Sequence, residues 1–307
     1  TLLDDLDFSD SALTLPFGAS SDGSCVSYTG VFKGNGHTIK GLVMDNDYSQ
    51  EYRNAGLFCA LGNATFENLV IDSSCSFTGY SYAGALSVSL TGSLAITNVT
   101  NKADVNGGQR VGGFVGMIES SSNLNISFSN SVNNGIVTGI YGMGGFVGMI
   151  QSNSDLNISF SNSINNGIVT GSYYIGGFVG RTYDSANMKM TISNCVNNGL
   201  ITGEGGMGGF TGVFLDNRYM EIIISNCVNN GPITRKLVDG GFVGGFVGGI
   251  DHNNGTSMIL FNCTNTGEIN GTEYAGGLVG GIGSKNDHHS VSFSIISSAN
   301  KGNVSAV

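Results

Sequence analysis

The pentapeptide Gly-Gly-Phe-Val-Gly occurs at 112–116, 144–148 and 176–180, a step of 32 residues each time. It returns as Gly-Gly-Phe-Thr-Gly at 208–212, twice in the overlapping run 240–249, and as Gly-Gly-Leu-Val-Gly at 276–280. A fixed period of this size marks a repeat architecture, in which each unit buries its apolar face only by leaning on its neighbours. The 307 residues are therefore expected to form one elongated body rather than two ordinary domains.

One period, 113–144, shows how the unit is built. Leu124, Ile126 and Phe128 alternate with Asn125, Ser127 and Ser129, the pattern of a half-buried strand. Asn133-Asn134-Gly135 follows as a turn, since Asn and Gly tolerate positive φ. Ile136–Gly139 and Phe146–Ile150 supply further short strands, and no segment has a helical period. The expected fold is all-β: a single right-handed parallel β-helix (β-solenoid) of about 32 residues per coil with three short strands in each. The chain divides into an N-terminal capping or first-coil region (1–45), irregular coils (46–112) and regular coils (113–307).

Columns of the repeat support stacking. Phe128 is followed at its position by Phe160, Ile192, Ile224 and, after a four-residue insertion, Leu260. Val137 is followed by Val169, Ile201, Ile233 and Ile269. Ser131 and Ser163 give way to Cys195, Cys227 and Cys263, which predicts a small buried side chain and free thiols. Asn130, Asn162, Asn194, Asn226 and Asn262 form a further column, read as a structural ladder in which stacked amides bond one another at the ~4.8 Å strand spacing. The Gly-Gly pair is read as a tight corner with close backbone approach, letting the aromatic enter the core. A phosphate cradle would need a following helix N-terminus, which the pattern lacks.

Composition narrows the function classes. Only 11% of residues are charged and the net charge is −10, with Lys and Arg scattered singly. Nucleic acid is not an expected partner, because its binding rests on phosphate neutralisation, and membrane insertion is not expected either. The start, Thr-Leu-Leu-Asp-Asp-Leu-Asp, suggests a processed or excised chain.

Phe32-Lys33-Gly34-Asn35-Gly36-His37-Thr38-Ile39-Lys40-Gly41-Leu42, followed by the Gly-Gly-[Phe/Leu]-Val-Gly repeats and Ser-Asn-Cys-Val-Asn-Asn-Gly units, resembles the GLUG-motif surface proteins over roughly residues 28–302. The resemblance implies a right-handed parallel β-helix, an extracellular or cell-surface location and an adhesive or structural role. It carries no catalytic motif over to this chain.

Candidate chemistry is sparse. Of Cys25, Cys59 and Cys75, two are expected to form one disulfide. His37 reads as a structural hydrogen-bonder within its turn, and Asp251-His252 and Asp287-His288-His289 as polar loops of consecutive coils. Asp4, Asp5, Asp7 and Asp10 form one acidic cluster, and Asp45, Asn46, Asp47 and Glu51 an oxygen-rich one, without the spacing of an EF-hand loop. No metal or cofactor is expected. The acids of the regular coils, Glu119, Asp155, Asp184, Glu204, Asp216, Glu221 and Asp239, fall in different columns and mostly in loops, so the repeat sets up no catalytic pair. Sequons at Asn63, Asn98, Asn125, Asn157, Asn254 and Asn270 are candidate glycosylation sites, Asn125 and Asn157 foremost because alternation turns them outward.

The expected function is a non-enzymatic extracellular scaffold: a coat, stalk or filament component that associates with itself or with neighbouring domains through its coil ends, and touches glycans. The alternative is a carbohydrate-active enzyme or glycan-binding module on the same fold. A single file of Thr138, Thr170, Thr202 and Thr234 is too narrow for an ice-binding lattice.

Overall fold

The computed structural model describes residues 1–11, 13–46, 53–120, 122–236, 241–271, 274–283 and 290–306. It is an all-β parallel solenoid of about nine turns with about 32 residues per coil. Every strand pairing between successive turns is parallel, and a nine-stranded sheet runs along one side with one strand per turn. The spacing is 28 residues from Ala55 to Ala83 and from Ala83 to Val111, then 32 from Val111 to Met143. Among the described residues no helix is long and apolar enough to cross a membrane.

The turn from Val115 to Gly144 illustrates the coil. Strands Val115–Ser120 and Leu124–Ser129 are followed by short pairings at Val132–Asn133 and Val137–Thr138 and by Tyr141–Gly144. The three strand stretches legible in the repeat are all present, and the coil adds two short ones where polar or glycine-rich sequence hides the alternation. Leu124, Ile126 and Phe128 point inward while Asn125 is exposed, and the whole strand stacks in register on Leu156–Ser161.

Phenylalanine fills the core where the glycine pairs turn the chain. Phe114, Phe146, Phe178, Phe210 and Phe246 form one file, with successive ring centroids 4.9, 4.6, 4.9 and 4.9 Å apart and nearly parallel planes from Phe146 onward. Phe128 and Phe160 meet this file edge-on at 5.7 Å. The glycines are required by proximity. A Cβ at Gly145 would collide with the Gly177 carbonyl of the next turn and with the Asn165 side chain. In the doubled motif the second copy is the corner: Gly208 pairs with Gly244, Phe246 joins the file, and Phe242 of the first copy lies half-buried over Gly249 and Gly281.

The buried asparagine ladder lies three residues beyond the column chosen from sequence. Asn101, Asn133, Asn165, Asn197, Asn229 and Asn265 are buried and each donates from Nδ2 to the Oδ1 of its counterpart on the next turn at 2.7–2.9 Å, the file ending on the exposed Asn300. Most also donate to the carbonyl two residues on, as Asn165 does to Gly167. Asn133 and Asn134 are therefore not a positive-φ turn. The column Asn130, Asn162, Asn194, Asn226 and Asn262 is exposed and left-handed, with φ between 49° and 53°. These asparagines make the corner through backbone conformation, which Asn adopts more readily than most residues. Asn262 donates to Asn226 at 2.8 Å, an exposed amide contact in this column.

The Ser/Cys column explains its own interchange. Ser131 N donates to Ser163 Oγ at 3.2 Å, Ser163 N to Cys195 Sγ at 3.5 Å, and Cys195 N to Cys227 Sγ at 3.4 Å. Either atom accepts the bond that satisfies a buried backbone N–H at the corner. Cys75, Cys195, Cys227 and Cys263 are free and buried, and Cys25 is bridged to Cys59. Contacts with Cys195 and Cys263 on either side, together with burial, push the Cys227 thiol up, and burial does the same for Cys75. A thiol reagent is therefore expected to label none of the four free cysteines in the native protein and all four in urea. Rapid native labelling of Cys195, Cys227 or Cys263 would show that the corner column opens.

Candidate functional site

The strands that carry Asn125 and Asn157 present a flat outer face. A shallow groove of about 620 Å³ crosses it, floored by Thr65, Ala95, Ser127, Ser159 and Thr191. Asn63, Asn125 and Asn157 line it, and Asn157 Nδ2 donates to Asn125 Oδ1 at 3.2 Å. Each is a sequon, and its Ser or Thr two residues on lines the groove as well, since side chains i and i+2 share a strand face. Asn98 is exposed at a left-handed corner and donates to Asn68, Asn254 is half-buried, and Asn270 is exposed on the nine-stranded sheet.

A second cleft gathers charge. Asp184, Asp216 and His252 occupy one column on successive turns, all left-handed at φ 46°, 55° and 53°. The column is fixed by backbone bonds from Asp184 N to Leu215 O and from Asp216 N to Asp251 O. This corrects the reading that the acids of the regular coils share no column: 184 and 216 differ by one repeat, and the four-residue insertion brings 252 into line. His252 Nδ1 lies 3.3 Å from Asp251 and 3.9 Å from Asp216. Two residues on, Ala186, Arg218 and Asn254 form a parallel file through bridges between turns. The two files flank a cleft of about 360 Å³ lined by Asp184, Asp216, Arg218, His252 and Asn254.

The floor between the files is polar and buried. Ser152 N donates to Ser185 Oγ, Ser185 N to Asn217 Oδ1 at 3.0 Å, and Asn217 N to Asn253 Oδ1 at 2.7 Å. Asn217 Nδ2 reaches Thr182 Oγ1 at 3.0 Å, and Asn253 Nδ2 reaches the Phe214 carbonyl at 3.1 Å. A satisfied buried network of this kind fixes the backbone that carries the charged side chains.

Other titratable groups are held in structural contacts. Arg181 stacks over Tyr174 and Tyr183, 5.1 and 5.0 Å from their centroids, and burial lowers its guanidinium pKa from the usual value. Arg110 lies over Tyr82 and donates to its hydroxyl at 2.7 Å. His37 closes its turn through a bond from its N–H to Gly34 O, with Nδ1 3.6 Å from Asp5. Asp4, Asp5 and His37 each offer a ligand atom within 4.8 Å of one another, but Asp5 already accepts the Thr38 N–H and faces Lys40. Asp47, Glu51, Asp239, Asp287, His288 and His289 lie outside the described residues.

No known family's sequence model matches the chain, and no solved structure matches it. Halomucin of Haloquadratum walsbyi is 40% identical over 93 residues, which is 30% of this chain and 1% of Halomucin. The chain is thus similar, over less than a third of its length, to a very small part of a much longer protein.

Proposed function

We propose that the protein is a non-enzymatic structural element of an extracellular surface coat, of the GLUG-motif kind, in which the solenoid serves as a rod that holds its surface at a distance. The observation that carries this reading is the continuity of the core: one phenylalanine file and one amide ladder run through successive turns without a break in register. A quasi-one-dimensional stack of this sort favours extended surfaces over an enclosed pocket. The Cys25–Cys59 bridge suits an oxidising compartment, and part of the chain is similar to a short stretch of Halomucin. Asn125 and Asn157 are the sequons best placed to carry glycans, exposed on the flat face. Association with a second copy or with neighbouring domains would run through the coil ends, where backbone strand edges can pair.

Antibodies raised against this chain are expected to label intact source cells at the surface, with little gain on permeabilisation. Label confined to the cell interior would overturn the reading. Turnover of any member of a broad polysaccharide panel would instead favour the enzymatic alternative.

A further inference from the structure

The geometry points to the cleft between the Asp184/Asp216/His252 and Ala186/Arg218/Asn254 files as a binding site for an acidic sugar, a uronate residue of a polysaccharide. Charge is scarce in this protein at 11% of residues, yet three of the five side chains lining this cleft are charged. One turn earlier Ser152, whose N–H donates to Ser185 Oγ, stands between the uncharged Gln151 and Asn153.

The two signs are held apart. Among the described residues, Arg218 forms no ion pair with Asp184 or Asp216, although all three line the same 360 Å³ space. They sit on separate files, and the buried Ser185–Asn217–Asn253 network between them keeps the files from closing on each other. Guanidinium donors and carboxylate acceptors therefore line one open space without pairing with each other.

That arrangement selects a ligand by exclusion. Ionised carboxylates accept hydrogen bonds and donate none, so Asp184 and Asp216 call for hydroxyl donors. Arg218 calls for a planar anion that it can grip with two parallel bonds. A simple anion meets repulsion from the stacked aspartates, a metal cation meets Arg218, and a neutral sugar leaves the guanidinium unused. A sugar acid satisfies both walls, with its ring hydroxyls on the aspartates and its carboxylate on Arg218. His252 lies at the third turn of the cleft, with Nδ1 3.9 Å from Asp216 and 3.3 Å from Asp251. Tyr219, 64% exposed and adjacent to Arg218 in the chain, offers a ring at the rim against which a second sugar unit stacks.

The test is calorimetric titration of the whole chain with a galacturonate oligomer, a neutral glucose oligomer of equal length and inorganic sulfate. The uronate oligomer is expected to bind, with the neutral oligomer at least ~10-fold weaker and sulfate unable to displace it. R218A and the double variant D184N/D216N are each expected to weaken uronate binding at least ~10-fold. Asp216 and Arg218 are exposed and Asp184 is half-buried, and Asn keeps the left-handed backbone, so circular dichroism of both variants should match the parent. Absence of uronate binding, equal binding of the neutral oligomer, full displacement by sulfate, or unchanged affinity in either variant overturns the proposal. None of these outcomes bears on where the protein resides, which the antibody labelling decides separately.

Discussion

Phe178→Ala is expected to destabilise the protein by about 3–5 kcal/mol. The ring is fully buried, stacked 4.6 Å from Phe146 and 4.9 Å from Phe210, and meets Phe160 edge-on at 5.7 Å. Truncation removes all three contacts and leaves a cavity that the backbone cannot fill, because a parallel ladder with in-register pairs on both sides fixes the distance between turns. A solenoid adds a second consequence. Each turn touches only its neighbours, so weakening one junction weakens the coupling between the turns on either side. Urea denaturation followed by circular dichroism should show a lower midpoint and a broader or split transition. Phe242→Ala is the comparison, since Phe242 is half-buried and outside the file. Equal losses for the two variants would contradict the assignment of the file as the core.

Asn197→Ala should cost at least about 3 kcal/mol. Asn197 accepts from Asn165 at 2.8 Å and donates to Asn229 at 2.7 Å and to the Gly199 carbonyl at 3.1 Å, all buried. The substitution strands a donor on Asn165 and acceptors on Asn229 and Gly199, each worth about 1–3 kcal/mol when left unpaired. Asn194→Ala is the matched control three residues away. It is exposed, with φ 53°, so its expected cost is the roughly 1–2 kcal/mol of placing an ordinary Cβ in the left-handed region. A thermal or urea midpoint lower for Asn194→Ala than for Asn197→Ala would return the ladder to the column first read from sequence.

The contrast between these two asparagines shows what could be read from the chain alone. The Phe128 and Val137 columns were legible because apolar character persists while the residue drifts, which packing alone explains. The free thiols of the 195, 227 and 263 column followed from the same logic, whereas the one bridge among Cys25, Cys59 and Cys75 was expected from their place in the irregular N-terminal part. Both asparagine columns are repeated, so identity could not choose between them. Alternation carried on from Phe128 puts Asn130 inside. The left-handed backbone at Asn130 resets that phase, and Ser131, Asn133, Gly135 and Val137 face inward instead. A single positive φ thus moved the ladder by three residues. The charged cleft was hidden differently. Asp184 and Asp216 are one period apart, a relation present in the numbering, but Arg218 and His252 join them only through the left-handed corner and the four-residue insertion. Sequence periodicity reports the regular turns and is silent on side chains that a local backbone reversal brings together.

The amide ladder has a sense as well as a place. From Asn101 to Asn300 every bond runs from the Nδ2 of one turn to the Oδ1 of the next, never the reverse. The interior therefore holds a file of aligned dipoles, each polarising the next. The file starts inside the body: Asn101 is buried beside Ile71 of the preceding turn, and its Oδ1 already accepts the Ala103 N–H. Because every amide points the same way, turning one over would set donor against donor on one side and acceptor against acceptor on the other. The core therefore distinguishes the two directions along the stack, independent of anything on the surface.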